Sequence, residues 1–373
     1  MSEYKVLAYY LPQFHPFKEN DEWWGKGFTE WVNVAKARPF YKGHYQPKIP
    51  ADLGFYDLRL PTTRHLQAEY AKQAGISAFC YWHYWFGNGF QLMQYPLEEV
   101  VRLGEPDFPF CLAWANHTWY KKSWSGGNNM FSLTKSTILA EQTYPGLEDY
   151  RLHFETMLPA FRDKRYFRLH GKLVFVVYAP QDLPNPQEFM EYWQNLAHEA
   201  GLPGFYFIAH CYLGYLLPQI KELGFDAINF SMHHDIYPTI QTLKNSPFSK
   251  VVRGVQKRFH VRPNIMQYAK AIEKMDTPLW EEEKIYPTIL PNWDHTPRSG
   301  RFGRVFQDCT PELFGKHVQM TLERIKKKPT EDKVIFIKSW NEWGEGNYME
   351  PDIKYGTGYI DELRDQLEHN NNG

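Results

Sequence analysis

Residues 62–85, TTRHLQAEYAKQAGISAFCYWHYW, hold the pattern that decides the fold. Leu66, Tyr70 and Ala74 recur every fourth residue, the spacing of one helix face. Gly75 follows as a left-handed stop, and then comes a nearly unbroken apolar and aromatic run at 77–85. Such a run suits a strand covered by helices on one side and core on the other. Helix, glycine and buried strand in that order are half of a βαβ unit.

Similar runs recur at 6–13, 109–116, 173–178, 205–210, 227–232, 285–292 and 334–340. Amphipathic stretches at 186–200, 216–223 and 311–327 lie between them. Gly201 and Gly224 close the first two, and Thr310 is placed to cap the third. Eight such units favour a (β/α)8 TIM barrel over an open doubly wound sheet, which would want a Gly-x-Gly-x-x-Gly turn that this chain lacks. One domain over 1–373 is expected. Residues 14–59 read as a long Trp-rich loop, 236–283 as an insertion between strands six and seven, and 370–373 as a frayed tail.

Forty-two Lys and Arg against 43 Asp and Glu leave a net charge of −1, which speaks against a nucleic-acid partner. Aromatic residues make up 17% of the chain, with 13 Trp, a supply that suits stacking on sugar rings as well as core packing. No apolar run approaches the length of a membrane-spanning helix. The opening MSEYKVLAYY passes straight into a strand pattern, so a cytoplasmic location is expected. Cys80, Cys111, Cys211 and Cys309 form no C-x-x-C pair and read as reduced structural thiols.

In a barrel of this kind the chemistry sits where the strands end. Those ends carry Gln13 and His15, then Trp82 and His83, then Trp114, Asn116 and His117, then Tyr178, His210, Ser231, His233, His234 and Asp235. The seventh offers Asn292, Trp293, Asp294 and His295, and the eighth Trp340-Asn341-Glu342-Trp343-Gly344-Glu345-Gly346. Glu342 and Glu345, three apart in a glycine-containing loop, suit glycosidic-bond cleavage, which needs one proton donor and one base or nucleophile. A solvated loop doublet is the plainer account of the same spacing. Trp82, Trp114 and Trp343 are expected as sugar platforms, and Tyr10, His15, His83, Asn116, Tyr178 and Asn292 as ligands of sugar hydroxyls. No metal or cofactor is expected: the histidines near 233 and 295 lack the H-x-H pair after strand one that a hydrolytic metal barrel carries. Asp294, Arg298 and Arg301 suit either an anionic sugar or a loop salt bridge. The basic stretch 250–262 suits weak association with an anionic membrane surface, or an ordinary solvated helix face.

Several segments also resemble a known family. They are AYYLPQFH at 8–15, NDEWWGKGFTEW at 20–31, GHYQP at 43–47, YWHYWF at 81–86, WAN at 114–116 and WNEWGEG at 340–346. Together they are similar to the WbsX-type glycosyltransferases, bacterial proteins associated with surface-polysaccharide loci, which look like distant relatives of the family 99 endo-α-mannosidases. The resemblance runs from strand one to residues 349–352. It implies a (β/α)8 barrel acting on glycosidic bonds of an oligo- or polysaccharide. It also implies that Glu342 is a base on the substrate's own 2-hydroxyl and that Glu345 is the acid and later the base for water, with net retention. The family's name points instead to glycosyl transfer. The chain shows neither the Asp-x-Asp motif nor the Gly-rich loop of a typical sugar-nucleotide enzyme. A retaining hydrolase or transglycosylase is therefore the leading reading. A glycosyltransferase of surface-polysaccharide synthesis and a non-catalytic sugar-binding barrel are the alternatives.

Overall fold

The computed structural model describes residues 3–121, 137–236 and 262–371. Eight parallel strands form its centre: β1 (Lys5–Tyr10), β2 (Ala78–Trp85), β3 (Phe110–Trp114), β4 (Lys172–Val177), β5 (Phe205–Cys211), β6 (Ala227–Phe230), β7 (Ile285–Ile289) and β8 (Val334–Ile337). Each pairs with the next, and β8 returns to β1 through the register Lys5↔Val334 to Ala8↔Ile337. The ring is closed, so the central sheet leaves no long edge unpaired. This is the (β/α)8 barrel expected from the strand rhythm.

The alternation of side chains along each strand decides what reaches the barrel interior. Tyr9 points in: its ring stacks on Trp82 at 4.5 Å and lies 5.4 Å from Phe336. Its hydroxyl donates to Asn229 Oδ1 at 2.8 Å, and Asn229 donates to Thr288 Oγ1 at 2.8 Å. Residues from β1, β2, β6, β7 and β8 thus meet in one layer beneath the mouth. Their neighbours one position on point out towards the helices. Tyr10 packs on Tyr81, and His83 lies against His153 of the helix Leu147–Phe161.

The helix Pro61–Gln73 ends before Gly75, whose φ of +78° suits its role as the stop. Its buried face is not the expected apolar stripe, because Leu66 is 45% exposed while Arg64, Gln67, Ala68 and Ala71 are buried. The barrel surface beneath it is polar. Gln67 accepts from Tyr10 at 2.7 Å and donates to Glu350 at 2.6 Å, and Arg64 donates to the Leu58 carbonyl at 2.6 Å. Thr310 does cap the helix Pro311–Ile325, accepting from the Leu313 amide at 3.3 Å.

Part of the segment 236–283 forms regular structure in a two-stranded sheet separate from the barrel sheet. The strand Asn264–Gln267 pairs in parallel with Arg304–Gln307, and the helix Tyr268–Met275 buries Tyr268, Ala271, Ile272 and Met275. The stretch 250–261, and with it all of the proposed basic surface except Arg262, lies outside the described residues. The last helix, Gly358–Asn371, continues through Asn370 and Asn371, the first two residues read as a frayed tail. Among the described residues no helix is long and apolar enough to cross a membrane. All four cysteines are free, and burial pushes the Cys80 thiol well up.

Candidate active site

Beyond β8 the chain makes a short hairpin. Asn341–Glu342 pairs antiparallel with Asn347–Tyr348 across the single turn Trp343–Glu345, which sets the two glutamates on either side of a tight reversal. Asn341 fixes the hairpin to the end of β1, accepting from the Leu11 amide at 2.7 Å and donating to the Leu11 carbonyl at 3.0 Å. Gly344 is required by its surroundings, because the Glu30 carboxylate occupies the space a Cβ would fill. Gly344→Ala should push Glu30 away from the site and cost about 1–3 kcal/mol. An unchanged urea unfolding midpoint would show instead that Glu30 yields freely.

The two glutamates belong to a buried ionic cluster. Arg298, in the turn Thr296–Ser299 after β7, donates from one nitrogen, Nη1, to Glu342 Oε1 at 3.1 Å and to Glu345 Oε1 at 2.6 Å. Its Nε donates to Glu30 Oε1 at 3.0 Å. Lys338, two residues beyond the inward-facing Phe336, places Nζ 3.6 Å from Glu342 Oε2 and 3.6 Å from Glu345 Oε2. Ser339 donates to Glu342 Oε2 at 3.1 Å, and His295 Nε2 lies 3.5 Å from Glu345 Oε1. Three carboxylates therefore share two permanent cations.

The carboxylates are not equivalent. Burial works to raise the Glu345 pKa, but Lys338, Arg298 and His295 outweigh it and hold the group well below its ordinary value. Glu30 goes the other way. Its full burial raises the carboxyl more than Arg298 lowers it, and its Oε2 has no hydrogen-bond partner among the described residues. Lys338 is raised despite burial because both site glutamates favour its charged form.

A cleft of about 690 Å³ opens above this cluster. Trp82, Tyr84, Trp119 and Tyr178 wall it, with Glu342, Glu345, Arg298, Lys338 and His295 at its base. Tyr178 stands edge-on to Trp82 at 5.4 Å and stacks on His210 at 5.2 Å.

The strand-end residues Gln13, His117 and His295 line the cleft, and of the residues expected as catalytic groups, platforms or hydroxyl ligands it brings together Glu342, Glu345, Trp82 and Tyr178. The others lie outside it, for reasons of strand parity or local bonding. Tyr10 and His83 face the helices, as above. Trp114 also faces outward, against Phe189, with its indole donating to the Trp85 carbonyl at 2.8 Å. Asn116 is spent on both sides of the Ala179 peptide, at 2.7 and 2.8 Å. Asn292 does the same for Tyr348, at 3.0 and 3.3 Å. His15 is buried against Phe17 and the Pro12 carbonyl, and burial lowers its pKa to about 4. Trp343 is buried behind the hairpin, stacked on Tyr348 at 3.7 Å and donating to Glu350 at 2.6 Å.

Asp294, one of the candidate sugar ligands, accepts from Gln46 at 2.7 Å and from Thr296 and meets His44 at 2.7 Å, away from the cleft. Arg298 is ion-paired with Glu30, Glu342 and Glu345 and also lines the cleft. Tyr84 and Trp119 belong to the aromatic residues near the strand ends, whereas Lys338 and Glu30 are not singled out by the strand-end reading. For Lys338 and Tyr84 the alternation carried the signal, since they follow the inward Phe336 and Trp82 by two. Among the described residues no three His, Cys, Asp or Glu side chains converge as a metal-ligand set.

Residues 6–363 match the family described as Glycosyltransferase WbsX. Two proteins of Xanthomonas campestris pv. campestris, each called uncharacterized protein WxcX, are 33% identical over 368 residues. That stretch is 97% of this chain but 49% of theirs, so the chain spans about half the length of these curated relatives. Among solved structures, a GH99 endo-alpha-mannosidase from Bacteroides thetaiotaomicron superposes with a TM-score of 0.56 at 15% identity, covering 99% of this chain and 98% of that one. A glycoside hydrolase-like protein gives 0.57 at 14% identity, covering 98% and 94%. Identities this low speak for a shared fold, and that fold is the barrel. With the family match running from β1 into the last helix, the chain belongs to the WbsX glycosyltransferase family, a family of carbohydrate-active enzymes.

Proposed function

We propose that this protein cleaves or transfers a glycosidic bond of an oligo- or polysaccharide with retention, through Glu342 and Glu345. The observation that carries this reading is that both carboxylates accept from the single nitrogen Arg298 Nη1 at the base of an aromatic cleft. Their bound oxygens are thus closer than the roughly 6.5–9.5 Å by which an inverting pair makes room for water. The Trp82, Tyr84, Trp119 and Tyr178 rings offer flat faces for sugar rings. Three carboxylates to two cations leave the cluster net negative, which favours the positive charge that develops at the anomeric carbon. The same balance is poorly suited to a nucleotide diphosphate, so a saccharide donor fits better than a sugar nucleotide.

On the pattern implied by the mannosidase resemblance, Glu342 takes the proton of the sugar's 2-hydroxyl as that oxygen attacks C1. Glu345 gives a proton to the departing oxygen. Glu345 then takes a proton from water, or from an acceptor hydroxyl, as that oxygen opens the 1,2-anhydro ring at C1, and Glu342 returns a proton to O2. Lys338, Arg298 and His295 favour the ionised form of Glu345, so a bound saccharide must loosen one of its cations before it can donate. Arg298 is clamped by Glu30, whereas Lys338 stands at 3.6 Å from either carboxylate. Lys338 is the cation that yields.

Lys338→Met should therefore raise the Glu345 pKa. With Glu345 as the donor, the alkaline limb of the kcat/KM profile moves to higher pH; a shift of the acidic limb alone would make Glu345 a base. The reading itself is tested with α-mannose-type oligosaccharides, following the first-formed anomer by NMR. Retention is expected. Inversion, or turnover that requires a sugar nucleotide together with a melting shift on adding UDP or GDP, would overturn it.

A further inference from the structure

A second groove, of about 400 Å³, lies on the far side of the turn Thr296–Ser299 from the cleft. Thr296, Pro297 and Ser299 line this groove, while His295 and Arg298 line the cleft. Its other wall is the helix Trp31–Lys36 and the chain after it, which begins next to Glu30, the residue that clamps Arg298. Two features set it apart from an ordinary surface fold. Its charged lining residues are Lys36, Arg38 and Arg301, all exposed, and no Asp or Glu lines it among the described residues. None of the three forms an ion pair with another described residue, in a chain whose overall charge is −1. Its rings are the part-buried Trp24, Phe40 and Phe302 and the buried Phe28, with the Arg38 guanidinium 5.8 Å from the Phe40 ring centroid.

Aromatic side chains of one helix, Lys18–Trp24, reach towards both the cleft and the groove. Tyr84 and Trp119 of the cleft meet at 5.1 Å, Trp119 lies 6.2 Å from Trp23, and the adjacent Trp24 lies 6.0 Å from Phe28 in the groove. Rings supply faces for sugars, and three uncompensated cations supply attraction for anions. A neutral glycan would use only the rings.

We propose that this groove is an auxiliary site for an acidic stretch of saccharide, bearing carboxylate or phosphate groups, whose neighbouring sugars lie in the cleft. The proposal rests on the reading of the cleft as a site of glycosidic chemistry, and it narrows the substrate to an anionic glycan. It implies that the cations act on binding and not on bond cleavage, since none of them reaches the glutamates.

The test is calorimetry on the full chain with three oligosaccharides of equal length: an oligogalacturonate, a phosphate-bearing oligomannoside and a neutral oligomannoside. At least one acidic ligand should bind about tenfold tighter than the neutral one, as three surface charge contacts allow. The preference should shrink at high salt. The arm that binds tighter identifies the anion as carboxylate or phosphate. Lys36→Ala with Arg38→Ala and Arg301→Ala should abolish the preference without changing the melting temperature, because all three side chains are exposed; Arg301→Glu alone should weaken it. Equal affinity for all three ligands, or a preference untouched by these variants, overturns the proposal. Glu345→Gln separates the two questions. Turnover lost with acidic binding retained supports both, whereas turnover retained sinks the catalytic reading and leaves the groove standing.

Discussion

Glu345→Gln should lower kcat/KM on the natural saccharide by about 10²–10⁴-fold, the range that a positioned proton donor supplies. The variant should fold normally. Removing one negative charge from a cluster of three carboxylates and two cations leaves Arg298 bonded to Glu30 and Glu342, and Lys338 still beside Glu342. A glycosyl fluoride separates the two glutamates. Its leaving group departs without a proton, so Glu345→Gln should recover much of its lost rate on this substrate. Glu342→Gln should not, because the 2-hydroxyl still has to lose its proton before O2 can close on C1. Equal losses for both variants on both substrates would mean that the two glutamates act as one unit and that the division of roles is wrong.

The barrel was legible because its strands are short, continuous and separated by helix stops, and burial on both faces leaves such runs little freedom to be anything else. The glutamate pair stands out in the sequence because it sits in a glycine-bearing loop after the last strand, and the structure puts both residues on the lining of the cleft. The platforms and hydroxyl ligands fared worse, for a physical reason. Naming whole strand ends ignores that alternate residues face opposite ways. Tyr10, His83 and Trp114 fall on the helix side, while Tyr9, Trp82 and Tyr84 fall on the inner side. Strand parity at a single anchored residue would have sorted most of them. Asn116 and Asn292 show a second limit, since an amide that pairs with a backbone N–H and C=O on both sides is oriented by the fold and not towards the cleft. Glu30 lay beyond any local pattern. It is more than three hundred residues from Glu345, and only the close approach allowed by Gly344 brings it under Arg298.

Arg298 is where the stability of the site concentrates. Arg298→Met should destabilise the protein by about 3–5 kcal/mol, the cost of stripping a buried cation from its partners and leaving their charges uncompensated. For a chain of this size the melting temperature should fall by about 4–6 °C. The loss should also depend on pH with a definite sign. Burial already raises the Glu30 pKa against the pull of Arg298, and without the arginine that carboxyl moves further up. A carboxyl raised in the folded state holds its proton there more tightly than in the unfolded chain, so its contribution is present at low pH and is lost as pH rises through the folded value. The deficit of Arg298→Met relative to wild type should therefore be smallest near pH 5 and grow towards neutrality. The depressed Glu345 behaves oppositely in the wild type: its contribution is present at neutral pH and is lost as pH falls. Adding Glu30→Gln to Arg298→Met should recover part of the loss, because it removes a charge left without a partner. Arg301→Met, at an exposed position three residues on, is the control and should change little. A melting temperature unmoved in Arg298→Met at pH 7 would show that the carboxylates find other compensation, with Lys338 the one remaining cation within reach of both Glu342 and Glu345 among the described residues.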